Sequence, residues 1–179
     1  MYESGYGRSS DVNERHIGRQ AIVLDGTNVI LFPERDDVHP GLAPLHDFWR
    51  GECEGLAPIP REMVDPVRLP AKLLPRFAII EVLRDPLDFR YRLLGTNLTQ
   101  FFGRDSTGML FSEIPYPEPH GEGLKRYFSL VADGDAVVYR ETTAAWANRD
   151  YVTIASMFVP GTSDGARTDL IFGAVISIK

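Results

Sequence analysis

Cysteine is almost missing: the chain of 179 residues holds one, Cys53. A single thiol closes no disulfide within the chain and builds no cysteine-rich zinc site. A reducing compartment is therefore the expectation. Long apolar runs are missing as well. No stretch approaches the roughly 18 residues that a membrane-crossing helix requires. The opening MYESGYGRSSDVNERHIGRQ has no apolar centre of a secretion signal. The chain reads as cytoplasmic. Positive charge is in the minority, with 19 Lys and Arg against 25 Asp and Glu and a net charge of -6. Nucleic acid and anionic membrane are thereby excluded as broad partners, because both select clustered Lys and Arg. Histidine is scarce. His16, His39, His46 and His120 form no HxH, HExxH or CxxCH pattern, so neither c-type haem nor a histidine metal centre is expected.

What is present suits one domain with an extension. Hydrophobic residues make up 44% and charged residues 25%, and a chain of this size buries roughly 70% of its unfolded surface. Residues 1–39 read as an N-terminal extension. Its first 19 residues are rich in Gly, Ser and charge and are expected to be disordered. AIVLDGTNVILF, from Ala21 to Phe32, pairs two β-prone runs about the hairpin dipeptide Asp25-Gly26. APLHDFWRGE predicts a short amphipathic helix with Leu45, Phe48 and Trp49 on one face. GLAPIPREMVDPVRLPAKLLPRF is too proline-rich for a long helix. Asp65-Pro66 within it makes an N-cap and first-turn pair for a short one.

From Phe77 the pattern tightens. FAIIEVLRD and FRYRLLG flank the turn DPLD, an antiparallel hairpin in which Phe89, Tyr91 and Leu93 alternate with Arg90 and Arg92. Short helical pieces follow at NLTQFFG and LFSEI. EGLKRYFSLVADGD spaces Leu124, Tyr127, Phe128 and Val131 as a longer helix ending near Gly134. AVVYRETTA, YVTIASMFVP and LIFGAVISIK are three more strands with short polar connectors. Strands at both ends with helices between give an α+β class with an antiparallel sheet.

FWRG, PIPREMVDP, LLPRFAIIEV, FRYRLLGTNL and GRDSTG occur in that order. They resemble a family of small stand-alone bacterial PAS-like proteins, over roughly Pro40 to Ile178. The most specific part is the Arg90-Tyr91-Arg92 run into Gly95-Thr96, then Gly103 and Thr107-Gly108. The resemblance implies residues 40–179 as a PAS-like domain with a five-stranded antiparallel sheet, short helices on one face, and a role in sensing or partner binding rather than catalysis. In flavin-binding light sensors of this fold a cysteine follows Gly-x-Asn. Here Gly95-Thr96-Asn97-Leu98 puts Leu98 in its place, so a covalent flavin adduct is not expected, while a non-covalent planar ligand stays open. Haem-binding relatives carry an axial histidine on the long helix. Here His120 lies just ahead of that helix and reads as a surface residue.

Other chemistries fit the residues poorly. GTNLTQFFG and GRDSTG match neither GxGxxG nor a P-loop, and no lysine stands where a P-loop requires one. Cys53 sits between Glu52 and Glu54, which raise a thiol pKa. Asp133-Gly134-Asp135 offers too few oxygens for an EF-hand and reads as a turn. Asp85 and Asp88 are explained by turn chemistry. Neighbouring Arg140 and Glu141 point to a cross-strand ion pair. No nucleophile with a base and an orienter is visible.

The remaining candidate is a pocket between sheet and helices. Phe89, Tyr91 and Leu93 would line it from the first hairpin. Asn97, Phe101 and Phe102 would line it from the next helix, and Phe128 from the long one. Tyr139, Tyr151, Met157 and Phe172 would come from the last strands. A packed aromatic core is the plain alternative. The pocket reading requires Tyr91 and Met157 to share one curved layer. FAIIEVL and LIFGAVISI are apolar on both faces, so the sheet is expected to be covered twice. The Phe48–Trp49 helix, the AIVLDGTNVILF segment, or a second copy in a homodimer would supply the outer cover. The expectation is thus a non-enzymatic sensory or interaction module taking a small organic ligand and acting in trans on a signalling protein. An adaptor with no ligand, and a small isomerase or hydratase built on Glu141 and Tyr91, are the alternatives.

Overall fold

The computed structural model describes residues 18–65 and 67–179. The disorder expected of residues 1–17, His16, and the helix start that includes Pro66 lie outside them. Strands β1 (Gln20–Leu24) and β2 (Thr27–Leu31) form the expected hairpin. Asp25 and Gly26 hold φ of 50° and 75°, the paired left-handed geometry of a tight two-residue turn. Helix α1 (Ala43–Arg50) and the two-residue β3 (Ile59–Pro60) follow. Then come β4 (Phe77–Leu83), β5 (Asp88–Leu94), α2 (Thr96–Phe102) and α3 (His120–Gly134). The chain finishes on β6 (Val138–Ala144), β7 (Arg149–Thr162) and β8 (Leu170–Ser177). The LFSEI helix is a single 3-10 turn, Phe111–Glu113.

One sheet of eight strands results, in the order β1-β2-β6-β7-β8-β4-β5, with β3 paired parallel to the end of β7. The five expected strands are the run from β6 to β5. The sheet is larger than expected because β2 pairs antiparallel with β6, Ile30 opposite Tyr139, so the first hairpin widens the sheet instead of covering it. β4 sits between β5 and β8, which ties the first half of the domain to the last.

Both faces are covered, and helices lie on both rather than on one. On one face α2 and α3 pack Leu98, Leu124, Tyr127, Phe128 and Val131 onto Ala78, Ile80, Val138, Phe158 and Ile171. On the other, Leu45, Phe48 and Trp49 of α1, with Leu69 and Leu73, pack onto Tyr139, Met157, Phe172 and Ala174. The α1 stripe forms for the reason its sequence suggests: the apolar positions recur at helical spacing. Trp49 is 1% exposed, and its Nε1 donates to the Leu56 carbonyl at 2.9 Å, so its polar end is satisfied. Burying each large apolar side chain here contributes about 1.5–3 kcal/mol. Among the described residues no helix is long and apolar enough to cross a membrane.

Candidate functional site

The side of the sheet under α2 and α3 holds a small void of about 30 Å³. Its floor is Ala78, Ile80, Phe158 and Val175, and its roof is Leu98, Phe102, Leu124 and Phe128. Packed rings account for the small size. Phe128 meets Phe158 edge-on with centroids 4.9 Å apart, and Tyr91 meets Phe111 at 4.7 Å. About one water fits such a space.

Two clefts flank the void, each sharing wall residues with it. Tyr91 and Phe102 separate it from a cleft of about 190 Å³ that is also lined by Arg104, Ser106, Ile114 and Tyr116. There the Tyr91 and Tyr116 hydroxyls are 3.0 Å apart. Burial raises the pKa of Tyr91, and the neighbouring Tyr116 adds to the rise. Burial also pushes Tyr116 up to about 12, against the opposing pull of its bond to Tyr91 and of Arg104. The pair is therefore neutral at ordinary pH and can both donate and accept. Arg140 and Leu124 separate the void from a cleft of about 280 Å³ at the start of α3. The Arg140 guanidinium carbon lies 3.6 Å from the centre of the Tyr127 ring, a desolvated cation–π contact worth about 2 kcal/mol. Tyr127 is itself fixed by its hydroxyl, 3.2 Å from Ser156 Oγ.

The predicted wall is brought together only in part. Phe89, Tyr91, Phe102 and Phe128 lie in the helical-side core, and the last three line the void. Tyr139, Met157 and Phe172 do not. They share the sheet with Tyr91 but pack in the α1-side core. Tyr91 and Met157 thus share one sheet, as the pocket reading requires, but they face opposite sides of it. The reason is strand phase: Phe158, Ile171 and Val138 take the inward positions, and every neighbour one residue along faces the other way. Leu93 is displaced by a bulge. Ile80 pairs with Tyr91 but Ile79 pairs with Leu93, so Arg92 is the extra residue. The phase flips there, leaving Leu93 37% exposed while Leu94 lines the void. Asn97 is exposed and Phe101 half-buried. Both border an outer groove with Arg149, because Leu98 is the inward residue of α2. Tyr151, near the start of β7, is 74% exposed.

Arg140 and Glu141 likewise point to opposite faces. Among the described residues neither forms an ion pair. Glu141 instead accepts from the Tyr139 hydroxyl at 2.6 Å, which separates it from Tyr91 on the far side of the sheet. The cross-strand ion pair forms between Arg90 and Glu81, at 3.2 Å. His120 is exposed at the first residue of α3. Cys53 is fully buried, and burial, more than Glu52, raises its pKa to about 11. Sequence reasoning passed over Arg140, Ser156 and Tyr116 as site residues. The signal for Arg140 was a lone cation between Tyr139 and Glu141 on a strand whose next inward neighbour is apolar Val138.

A sheet antiparallel except for the two-residue β3, helices roofing a small void, and clefts opening beside it make up one α+β module. The chain belongs to the PAS domain family, whose profile matches residues 37–176. Comparison with curated proteins and with solved structures gives no match. The β1–β2 hairpin precedes the matched span yet is continuous with its sheet.

Proposed function

We propose that the chain is a non-enzymatic sensor that takes a small organic ligand in the cleft beside Tyr91 and passes the change to a signalling protein in trans. The observation that carries this is the double role of Tyr91 and Phe102, which line both the inner void and the 190 Å³ cleft. A cavity of about 150 Å³ already admits one benzene ring. A ligand of single-ring size fits this cleft and meets the neutral Tyr91–Tyr116 pair with a hydrogen-bonding group. Flavin and haem are not the occupants in this reading, so the purified protein is expected to show no visible absorption band, and a band would overturn that part of it.

Phe102 is the moving part. A ligand that displaces it turns α2, whose first turn begins at Gly95. A Cβ at Gly95 would overlap the backbone of Leu74 and Pro75, so the start of α2 lies directly on the 3-10 turn Leu74–Arg76. That turn follows Leu69 and Leu73, which pack on the opposite face. A rotation of α2 is thereby delivered to the α1 layer, where a partner reads it, provided the ligand binds the two arrangements unequally. The test is native mass spectrometry of gently purified protein. A retained small molecule is expected for the wild type, with the complex weakened by Tyr91→Phe and by Phe102→Ala. The small void favours a second reading, an adaptor with a filled core and no ligand. A bare wild-type mass, with partner capture unaffected by both substitutions, would select it.

A further inference from the structure

We infer that the cleft between the start of α3 and strands β2 and β6 binds a small organic monocarboxylate, held by Arg140. The site lies across the inner void from the Tyr91 cleft and does not depend on that cleft being occupied. Its basis is a largely buried cation with no counter-ion in contact, on which Asp25 acts only from a distance. Arg140 Nε is sealed from solvent and has no hydrogen-bond partner, and among the described residues the guanidinium forms no ion pair. Such a group is costly to bury alone. The Tyr127 ring covers one face of the guanidinium. Ring stacking leaves the in-plane N–H groups free to bond, and because Nε is sealed a carboxylate entering from the cleft would meet the two terminal nitrogens as a forked pair.

The surroundings decide the class of anion. The cleft holds about 280 Å³, room for several carbon atoms. Asp25 also lines it, but Arg126 grips Asp25 with two bonds of 3.0 and 3.1 Å, so those two charges match each other. His120 borders the cleft as an exposed imidazole. Arg140 is then the one unmatched permanent cation among the lining residues. A monoanion balances it, whereas a phosphate dianion leaves an excess beside Asp25. Thr27 and Thr142, with hydroxyls 3.5 Å apart, offer further hydrogen bonds. Leu24 and Leu124 supply an apolar wall for a short carbon chain.

Sodium butyrate is the probe, compared with sodium chloride and sodium phosphate at equal ionic strength. The expected result is a saturable shift of the Arg140 Nε–Hε resonance with butyrate and not with chloride. A rise in melting temperature should accompany it, and Arg140→Met should lose at least about tenfold in butyrate affinity. Met keeps an apolar stem of similar length over the Tyr127 ring, so the variant is expected to fold with some loss of stability. Should that variant not fold, Thr142→Val keeps the guanidinium and is expected to weaken butyrate alone. No saturable shift at Arg140, a shift that chloride reproduces, or stabilisation that survives Arg140→Met would overturn the site. A phosphate response as strong as that of butyrate would overturn the monocarboxylate assignment.

Discussion

Burial raises the pKa of the Cys53 thiol from 9.0 to about 11 and that of the Tyr116 phenol from 10.0 to about 12. Both groups are neutral when protonated, and the folded state holds each proton more tightly than the unfolded chain does. Their contribution to stability is therefore complete below the unfolded pKa and is lost as pH climbs through the folded one. For Cys53 the window runs from 9.0 to about 11, and urea unfolding should show falling stability across it. Cys53→Ala should flatten that slope. Cys53 is also fully buried, so a thiol reagent should modify it only as fast as the chain opens. Rapid modification of the native protein at neutral pH would contradict the packing described. The sequence foretold the direction of the Cys53 shift from Glu52 and Glu54. The larger cause, desolvation, came from α1 and the loop after it folding over the sheet, a contact between residues too far apart in sequence for local pattern to reveal.

Helix α1 is the element on which the outer face depends. Its Leu45, Phe48 and Trp49 are buried against Met157 and Phe172. Trp49→Ala is expected to cost about 3–5 kcal/mol in denaturant unfolding and to expose the α1-side sheet to a hydrophobic dye. A loss below about 1 kcal/mol would mean that α1 is not the cover. Most elements were legible because their periods are clean: α1 and α3 repeat at helical spacing, and β5 alternates. The phase of β7 and β8 was not legible. A strand covered on both faces is apolar throughout, so YVTIASMFVP does not say whether Met157 or Phe158 points toward α3. The bulge at Arg92 was equally hidden, because a one-residue slip is set by pairing with β4, which also satisfies β8 on its other edge.

For the molecule as a whole, intrachain cover on both sheet faces removes the reason for placing a second copy on either of them. What remains open is an edge. Among the described residues β1 pairs with β2 on one side only, as β5 pairs with β4 alone at the opposite edge, and the Val23 of β1 is 70% exposed. An unpaired edge strand invites a partner strand, and two copies meeting there obey twofold symmetry. The homodimer that the sequence left open as an alternative would therefore form through β1. Sedimentation should show a dimer for the wild type and a monomer for Val23→Lys. A wild-type monomer at high concentration, or a dimer untouched by the substitution, would remove that interface.

Composition, turn residues and periodicity were enough to give the class, the strand and helix order, and the need for two covered faces, because each is written in short stretches of neighbouring residues. Which residue of an all-apolar strand faces which core depended on long-range partners: α1 on one side, α3 on the other, and β4 shifting β5 by one position. The buried cation at Arg140 arose in the same way. Its charge was visible in the chain, but its isolation came from what folding placed around it.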